Sequence, residues 1–405
     1  MKKLLILGAS IYQVPLISTA RRMGLHTIVS SIPGNYPGFD LADQVYTVNT
    51  TDREATLRIA EKEGIDGICT TGTDVAVATV GYVNEHLGLS GISVEAAMTA
   101  ADKFTMKEAF REKGVSAAAF RRVYTAEEAH AAAQEIGYPV IVKCVDSSGS
   151  RGVTAVKDPD GIDKAFADAI RYSRRDYALV EQTLMGEEIG VDGMICGGEM
   201  ILLAPHRKFT YSTGGTTMPS GHGFPYECSD KVLESIRREI GLAVEAIGLD
   251  NCAFNSDVFI DGDRAFIIEI GGRAGATCIP ELISRHWHCD FYEMIINSAL
   301  GIAPELVEPE TPTPCLAKLL MSPVDGVITH IRGEAIDGLR GGEGDTAITL
   351  DFGVGDAVEA MINGTTRIGH VITNTSDPEE LDRIMSQVYE NIFVNGRSLK
   401  EQWDA

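Results

Sequence analysis

Paired cysteines, glycine fingerprints and positive charge are what this chain lacks. Its eight cysteines lie scattered with no CxxC pair, which suggests neither a disulfide framework nor a zinc site and fits a reduced, cytoplasmic protein. Lys and Arg number 35 against 58 Asp and Glu, for a net charge of −23 at pH 7 and a pI near 4.8. So acidic a chain is a poor partner for a nucleic-acid backbone. No apolar run reaches membrane-spanning length, and the opening MKKLLILGA is too short a run for a signal peptide. No membrane partner is expected. Neither GxxxxGK[ST] nor GxGxxG is present; Gly8 opens GASIYQ, which reads as a tight βα turn and not a dinucleotide site. His286, His288 and Cys289 in RHWHC do not suggest zinc, because histidines two apart on a helix point to different faces.

With 405 residues and 44% apolar content, the chain has material for two or three domains with sizeable cores. KLLILG (3–8), HTIVSSI (26–32), QVYTV (44–48) and GICTTGTD (67–74) read as strands, with helices at 11–23, 56–64 and 75–87. That alternation predicts a doubly wound parallel sheet. One helix is expected over 94–114; Lys103 and Lys107, four apart on one face of it, read by themselves as a solvated surface. Further helices are expected at 229–247 and about 289–300. The Pro-rich stretch 301–314 is the clearest linker. Beyond it CLAKLLM, GVITHI, ITLDF and RIGHVI read as short strands, before a last helix at 378–393.

The most informative stretch is CAFNSDVFIDGDRAFIIEIGGRAGA (252–276). Residues 254–260 and 265–270 are apolar and β-prone around a DGD turn, so a hairpin is predicted. Each strand carries one acid where an apolar residue is expected, Asp257 and Glu269. A three-residue connection would set these carboxylates opposite each other. Facing carboxylates repel unless a cation joins them, and hard oxygen ligands suit Mg²⁺ held together with phosphates. Two solvated acids on an exposed hairpin are the plain alternative. Arg273 follows in GGRAG, near any phosphate that such a metal holds.

Upstream, YPVIVKCV (138–145) is an apolar strand with a lysine, Lys143, inside it. That lysine must find an anion or snorkel to solvent. DSSGSRGV (146–153) follows, with backbone N–H groups suited to wrap a phosphate; an edge-strand lysine before an ordinary turn is the alternative. Leu179, Val180 and Leu184 with Glu181 suit an adenine, and Glu188 suits ribose hydroxyls; either glutamate by itself reads as a surface residue. The stretch 204–225 is long, Gly/Thr-rich and without clear periodicity, so it reads as a functional loop. Its His206-Arg207-Lys208 points to anion binding, and Tyr211, 213–218 and Phe224 suit an organic acid.

Lys103 in a DK helix, Lys143 on a strand, SSGSRG, VEQTL, GEEIGVD, HRK, Asp257 and IEIGGR, in that order, resemble the ATP-grasp superfamily over essentially the whole chain. The nearest likeness is to carboxylate–amine ligases that include amino-acid (dipeptide) ligases, related to biotin carboxylase and carbamoyl-phosphate synthase. The resemblance implies a mixed α/β and α+β multidomain fold. A Rossmann-like βαβ domain (1–95) would precede a two-lobed ATP-grasp domain (96–305, lobes about 115–180 and 181–305) and a small C-terminal α+β domain (315–405). It also implies ATP and Mg²⁺, with Mn²⁺ as a substitute. Lys103 and Lys143 would contact the phosphates under a loop containing Ser147, Ser148, Gly149 and Gly152. Glu181, Gln182 and Leu184 would sit at the adenine and Glu188 at the ribose. Asp257 and Glu269 would hold the metal, with Arg273 and Lys208 as catalytic cations. One departure stands out: many members read E-x-N-x-R, and here Gly271 replaces the amide. Water or another group must then serve there, or the site holds one ion less firmly.

The implied reaction joins a small-molecule carboxylate, activated as an acyl phosphate, to an amine, releasing ADP and phosphate, in a cytoplasmic homo-oligomer such as a homodimer. A bicarbonate-using carboxylase or carbamoyl-phosphate-type enzyme is one alternative. A non-catalytic ATP-binding module is another.

Overall fold

A computed structural model of the chain describes residues 1–146, 152–212, 217–341, 344–362 and 364–405. Ser147, Ser148 and Gly149 of the expected phosphate loop lie outside the described residues. Two compact units result. The first comprises Met1–Ala204, Glu227–Ala274 and Tyr292–Glu305; the second comprises Pro205–Tyr226, Gly275–Phe291 and Leu306–Ala405.

The first unit begins with β1 (Lys3–Leu7), α1 (Val14–Arg22), β2 (His26–Ser31), β3 (Gln44–Thr47), α2 (Arg53–Glu63), β4 (Gly67–Cys69) and α3 (Val77–Leu87). The strands are all parallel in the order β3-β2-β1-β4. Leu4 to Leu7 of β1 are fully buried, as a strand covered on both faces requires. The turn after β1 is closed by its own chain. Gly8 has φ +97°, and the Gln13 side chain fills the turn, accepting from Ser10 N–H at 2.9 Å.

The single helix expected over 94–114 is two, α4 (Val94–Ala101) and α5 (Lys103–Lys113). Asp102 breaks it: its backbone is extended (φ −123°, ψ 112°) and its carboxylate caps α5, accepting from Phe104 and Thr105 N–H. A short acid competes well with the helix interior in this way. In α5, Met106, Lys107 and Phe110 are the buried positions.

A second sheet, in the order β5-β8-β6-β7, is built from β5 (Phe120–Val123), β6 (Val140–Lys143), β7 (Val153–Val156) and β8 (Ala178–Gln182), with α6 (Ala126–Ile136) and α7 (Ile162–Tyr172). Ala129, Ala133, Ala165 and Ala169 of the helices pack with Val140, Val142 and Val180 of the strands. Lys143 is therefore on an interior strand, not an edge. A third set contains β9 (Glu187–Cys196), the start of β10 (Glu199–Ser212), α8 (Asp230–Ile247), β12 (Cys252–Asp261) and β13 (Arg264–Gly271), in the order β13-β12-β9-β10.

In the second unit, β10 runs on antiparallel to β11 (Thr217–Phe224), with Lys208 paired to His222. The expected loop over 204–225 is thus mostly a hairpin, although residues 213–216 lie outside the described residues. Gly221 and Gly223 signal close packing and not irregularity. A Cβ at Gly221 would lie 2.1 Å from the Ala317 carbonyl oxygen. Strands Cys315–Leu320, Gly369–Thr373 and Ala347–Leu350 continue the sheet antiparallel from β11. Helix Pro378–Glu390 covers them, burying Leu381, Met385 and Val388 against Leu316, Leu320 and Val371. The unit also holds α9 (Ile279–Trp287), while α10 (Phe291–Ala299) falls almost wholly in the first. Among the described residues no helix is long and apolar enough to cross a membrane.

Candidate active site

The β12–β13 hairpin has a connection one residue shorter than expected. Asp261 pairs with Arg264, leaving Gly262 (φ +58°) and Asp263 in the turn. Continued without a break, that register would set Asp257 opposite Ile268 and turn Glu269 to the other face. A β-bulge between Asp257 and Val258 absorbs one residue and brings Asp257 opposite Glu269. On its other side Asp257 pairs with Gly190 of β9, where no side chain crowds it.

Helix α5 delivers two lysines to this neighbourhood. Its start is tied to the chain two residues past β6 by Lys103 N–H to Val145 O (2.9 Å), and its first turn to β13 by Ile270 N–H to Met106 Sδ (3.5 Å). Lys103 Nζ lies 2.8 Å from Glu269 Oε2. Burial works against its charge, but Glu269, and Asp74 more weakly, outweigh burial and raise its pKa above the ordinary value.

Lys107, one turn on, is not on a solvated surface. It is 1% exposed. The reason lies in the sheet beneath it: Lys143 pairs with Leu179 and Ile141 with Glu181, so Lys143 and Glu181 are diagonal neighbours on one face. Lys143 Nζ lies 2.8 Å from Glu181 Oε2, and Lys107 Nζ lies 3.5 Å from the same oxygen. Burial opposes ionisation of Glu181, but the two lysines prevail and lower its pKa. Burial, reinforced by Lys143, pushes Lys107 down to about 8 in spite of Glu181. Lys107 Nζ and Glu181 Oε1 are buried without a hydrogen-bond partner. Such atoms call for a ligand, a water or a rearrangement.

The other expected nucleotide residues lie on separate stretches of the same unit. Gln182 is exposed at the end of β8, its N–H bonded to Ala119 O at 2.8 Å. Leu184 is half-buried, and Glu188 is half-buried on β9 opposite Phe259. Gly152 closes the β6–β7 connection, accepting from Cys144 N–H at 2.9 Å. Its φ of +66° and an ideal Cβ only 2.9 Å from Tyr172 Cβ admit glycine alone.

Arg273 is held by groups that sequence reasoning did not single out. Its Nη2 lies 2.6 Å from Asp74 Oδ1, and Nη1 donates to Asn255 Oδ1 (3.0 Å) and Ala274 O (3.2 Å). Asn255 in turn donates to Asp192 at 2.7 Å, and Asp192 is fully buried. Asp74 arrives on the turn after β4, pinned by Gly72 N–H to Ala274 O at 3.2 Å. It also explains what adjoins the missing amide: a Cβ at Gly271 would lie 3.3 Å from Asp74 Oδ1. Asn255 was visible as a polar residue two before Asp257 on the same face, and Asp192 as an acid within an apolar strand.

Lys208 belongs to the second unit. Beside it, the first residue of the HRK motif faces inward. His206 and His222 are buried with their Nδ1 atoms 3.2 Å apart, and burial holds His222 well below its ordinary pKa. Phe224, expected to face a substrate acid, is buried and stacked on His286 at 5.3 Å. Tyr211 instead lines a cavity of about 420 Å³ with Tyr389 and Trp403.

Among the described residues, no three His, Cys, Asp or Glu side chains are grouped to hold a metal by themselves. Two carboxylates held opposite each other on β12 and β13 nevertheless fit Mg²⁺, which binds through one or two carboxylates and takes its other ligands from phosphate and water.

Comparison with known families gives the class of protein that this chain resembles. Residues 136–281 match the ATP-grasp domain, and residues 318–395 match the L-amino acid ligase C-terminal domain 2. The particular likeness is to alanine–anticapsin ligase of Bacillus subtilis (strain 168), 30% identical over 268 residues that cover 60% of this chain and 56% of that one. The chain thus spans a little over half the length of that relative. Phosphoribosylglycinamide synthetase from Anaerococcus prevotii matches over 97% of this chain and 99% of its own, with a TM-score of 0.81 and 26% identity. L-amino acid ligase from Bacillus licheniformis shares the fold over 98% and 99% of the two chains, with a TM-score of 0.79 at 17% identity.

Proposed function

We propose that the protein is an ATP-dependent ligase that joins a small-molecule carboxylate to an amine, on a layout of N-terminal βαβ, two-lobed ATP-grasp and C-terminal α+β domains. The observation that carries the reading is the bulge that sets Asp257 opposite Glu269, with Lys103 on that glutamate. A bulge is a costly way to pair two like charges unless the pair is used.

A carboxylate oxygen attacks the γ-phosphorus of ATP, the bond to the ADP oxygen breaks, and ADP departs. The amine then attacks the acyl carbon, phosphate leaves, and the nitrogen loses a proton as the amide forms. Lys103 and Lys143 bind phosphate oxygens. Arg273, aimed by Asp74 and Asn255, offsets charge on the transferring phosphoryl group. Mg²⁺ on Asp257 and Glu269 supplies charge neutralisation at the phosphates when bound. No enzyme nucleophile is needed; positioning and electrostatics suffice.

The test is ADP release from MgATP over a panel of acid–amine pairs, with products weighed by mass spectrometry. Release that requires both substrates, with a product equal to acid plus amine minus water, is expected. Release driven by bicarbonate alone favours a carboxylase, and none with any pair leaves a binding module.

A further inference from the structure

We propose that Lys107 is a positioning residue that takes over Glu181 when Lys143 turns from it to the nucleotide phosphates. The inference rests on the ligase reading above.

Two buried lysines reach for one carboxylate oxygen. Lys143 holds Glu181 Oε2 at 2.8 Å while Lys107 waits at 3.5 Å with no hydrogen bond of its own. The group of three thus carries one positive charge more than it neutralises, buried, which is the condition for attracting an anion. When a phosphate arrives, the lysine that meets it is Lys143, to which the ligase reading above assigns the phosphates. Without Lys107, that move would strand Glu181, which is 3% exposed and whose Oε1 already lacks a partner. A stranded buried carboxylate is strongly unfavourable. Lys107 removes the penalty by closing from 3.5 Å to the distance that Lys143 now keeps. Its depressed pKa, near 8, is consistent with a cation awaiting full compensation. Helix α5 gives it little other choice, since Met106 and Phe110 pack beside it in the interior.

The experiment is a double-mutant cycle read by calorimetric titration with MgATP. Lys107→Met, nearly isosteric and uncharged, should weaken ATP binding at least tenfold while leaving the melting temperature unchanged or higher, since a buried charge has been removed. In a Glu181→Gln background the same substitution should cost less than threefold, because no carboxylate is left to strand. If Lys107→Met does not fold, Lys107→Gln reads the same pair of losses. Binding within threefold of wild type in the single variant overturns the proposal. So does a tenfold loss that persists in the Glu181→Gln background, which would mean direct phosphate contact or a structural role. Failure of the wild-type protein to bind ATP would instead remove the ligase reading itself.

Discussion

Replacing Arg273 by lysine isolates what its planar fork contributes. The guanidinium spends Nη2 on Asp74 at 2.6 Å and Nη1 on Asn255 at 3.0 Å, while its Nε is buried with no partner. An ammonium keeps the charge but is a single point, so it cannot hold both groups and also grip two phosphoryl oxygens. One charge-assisted hydrogen bond is worth about 1.5–3 kcal/mol. If it is lost mainly in the transition state, kcat falls roughly 10- to 150-fold, and we expect on the order of a hundredfold. The ATP Kd should stay within about threefold, because the nucleotide is held chiefly by Lys103 and Lys143. Steady-state kinetics beside an ATP titration reads both quantities. Unchanged kcat, or equal losses in kcat and affinity, refutes the assignment.

Glu269→Gln should leave the fold intact and lower turnover far more than about tenfold (about 1.4 kcal/mol of barrier), because both Lys103 and a metal lose their carboxylate; kcat above a tenth of wild type contradicts the metal assignment. A pH series tests Lys107, which faces Glu181, Lys143 and Glu269 and whose pKa is about 8 where 10.5 is usual. Between those values the unfolded chain holds a proton that the folded protein has released, so this group makes stability rise with pH across that window. Lys107→Met should therefore be more stable than wild type near neutrality by up to about 3 kcal/mol. The advantage should shrink towards pH 10 in chemical-denaturation curves, and a constant difference would contradict it.

Much of the architecture was legible because strong local patterns coincide with what the packing requires. KLLILG is a continuous apolar strand, and it lies in the interior of the parallel sheet. The acids of 252–276 stand out because they interrupt apolar strands. Where the reading failed, a distant contact decided. Periodicity runs through 94–114, yet the capping power of Asp102 splits it. Gly221 suggests a loop, yet its neighbour across the sheet requires a residue without a side chain. The spacing of Lys103 and Lys107 suggests one solvated face, but the register of β6 and β8 supplies Glu181 beneath the second lysine. Asp74 meets Arg273 from nearly two hundred residues away in sequence. No local pattern announces such a contact.

Activation of the carboxylate as an acyl phosphate by ATP, proposed above, is tested most directly by transfer of labelled oxygen. Given an acid–amine pair that the protein joins, the acid is supplied with heavy oxygen at both carboxylate positions, and the released phosphate is weighed. The oxygen that attacks the γ-phosphorus leaves with it when the amine displaces phosphate. Each phosphate should therefore carry one heavy atom and ADP none. Amide formed alongside unlabelled phosphate, or release of AMP and pyrophosphate, would contradict the account.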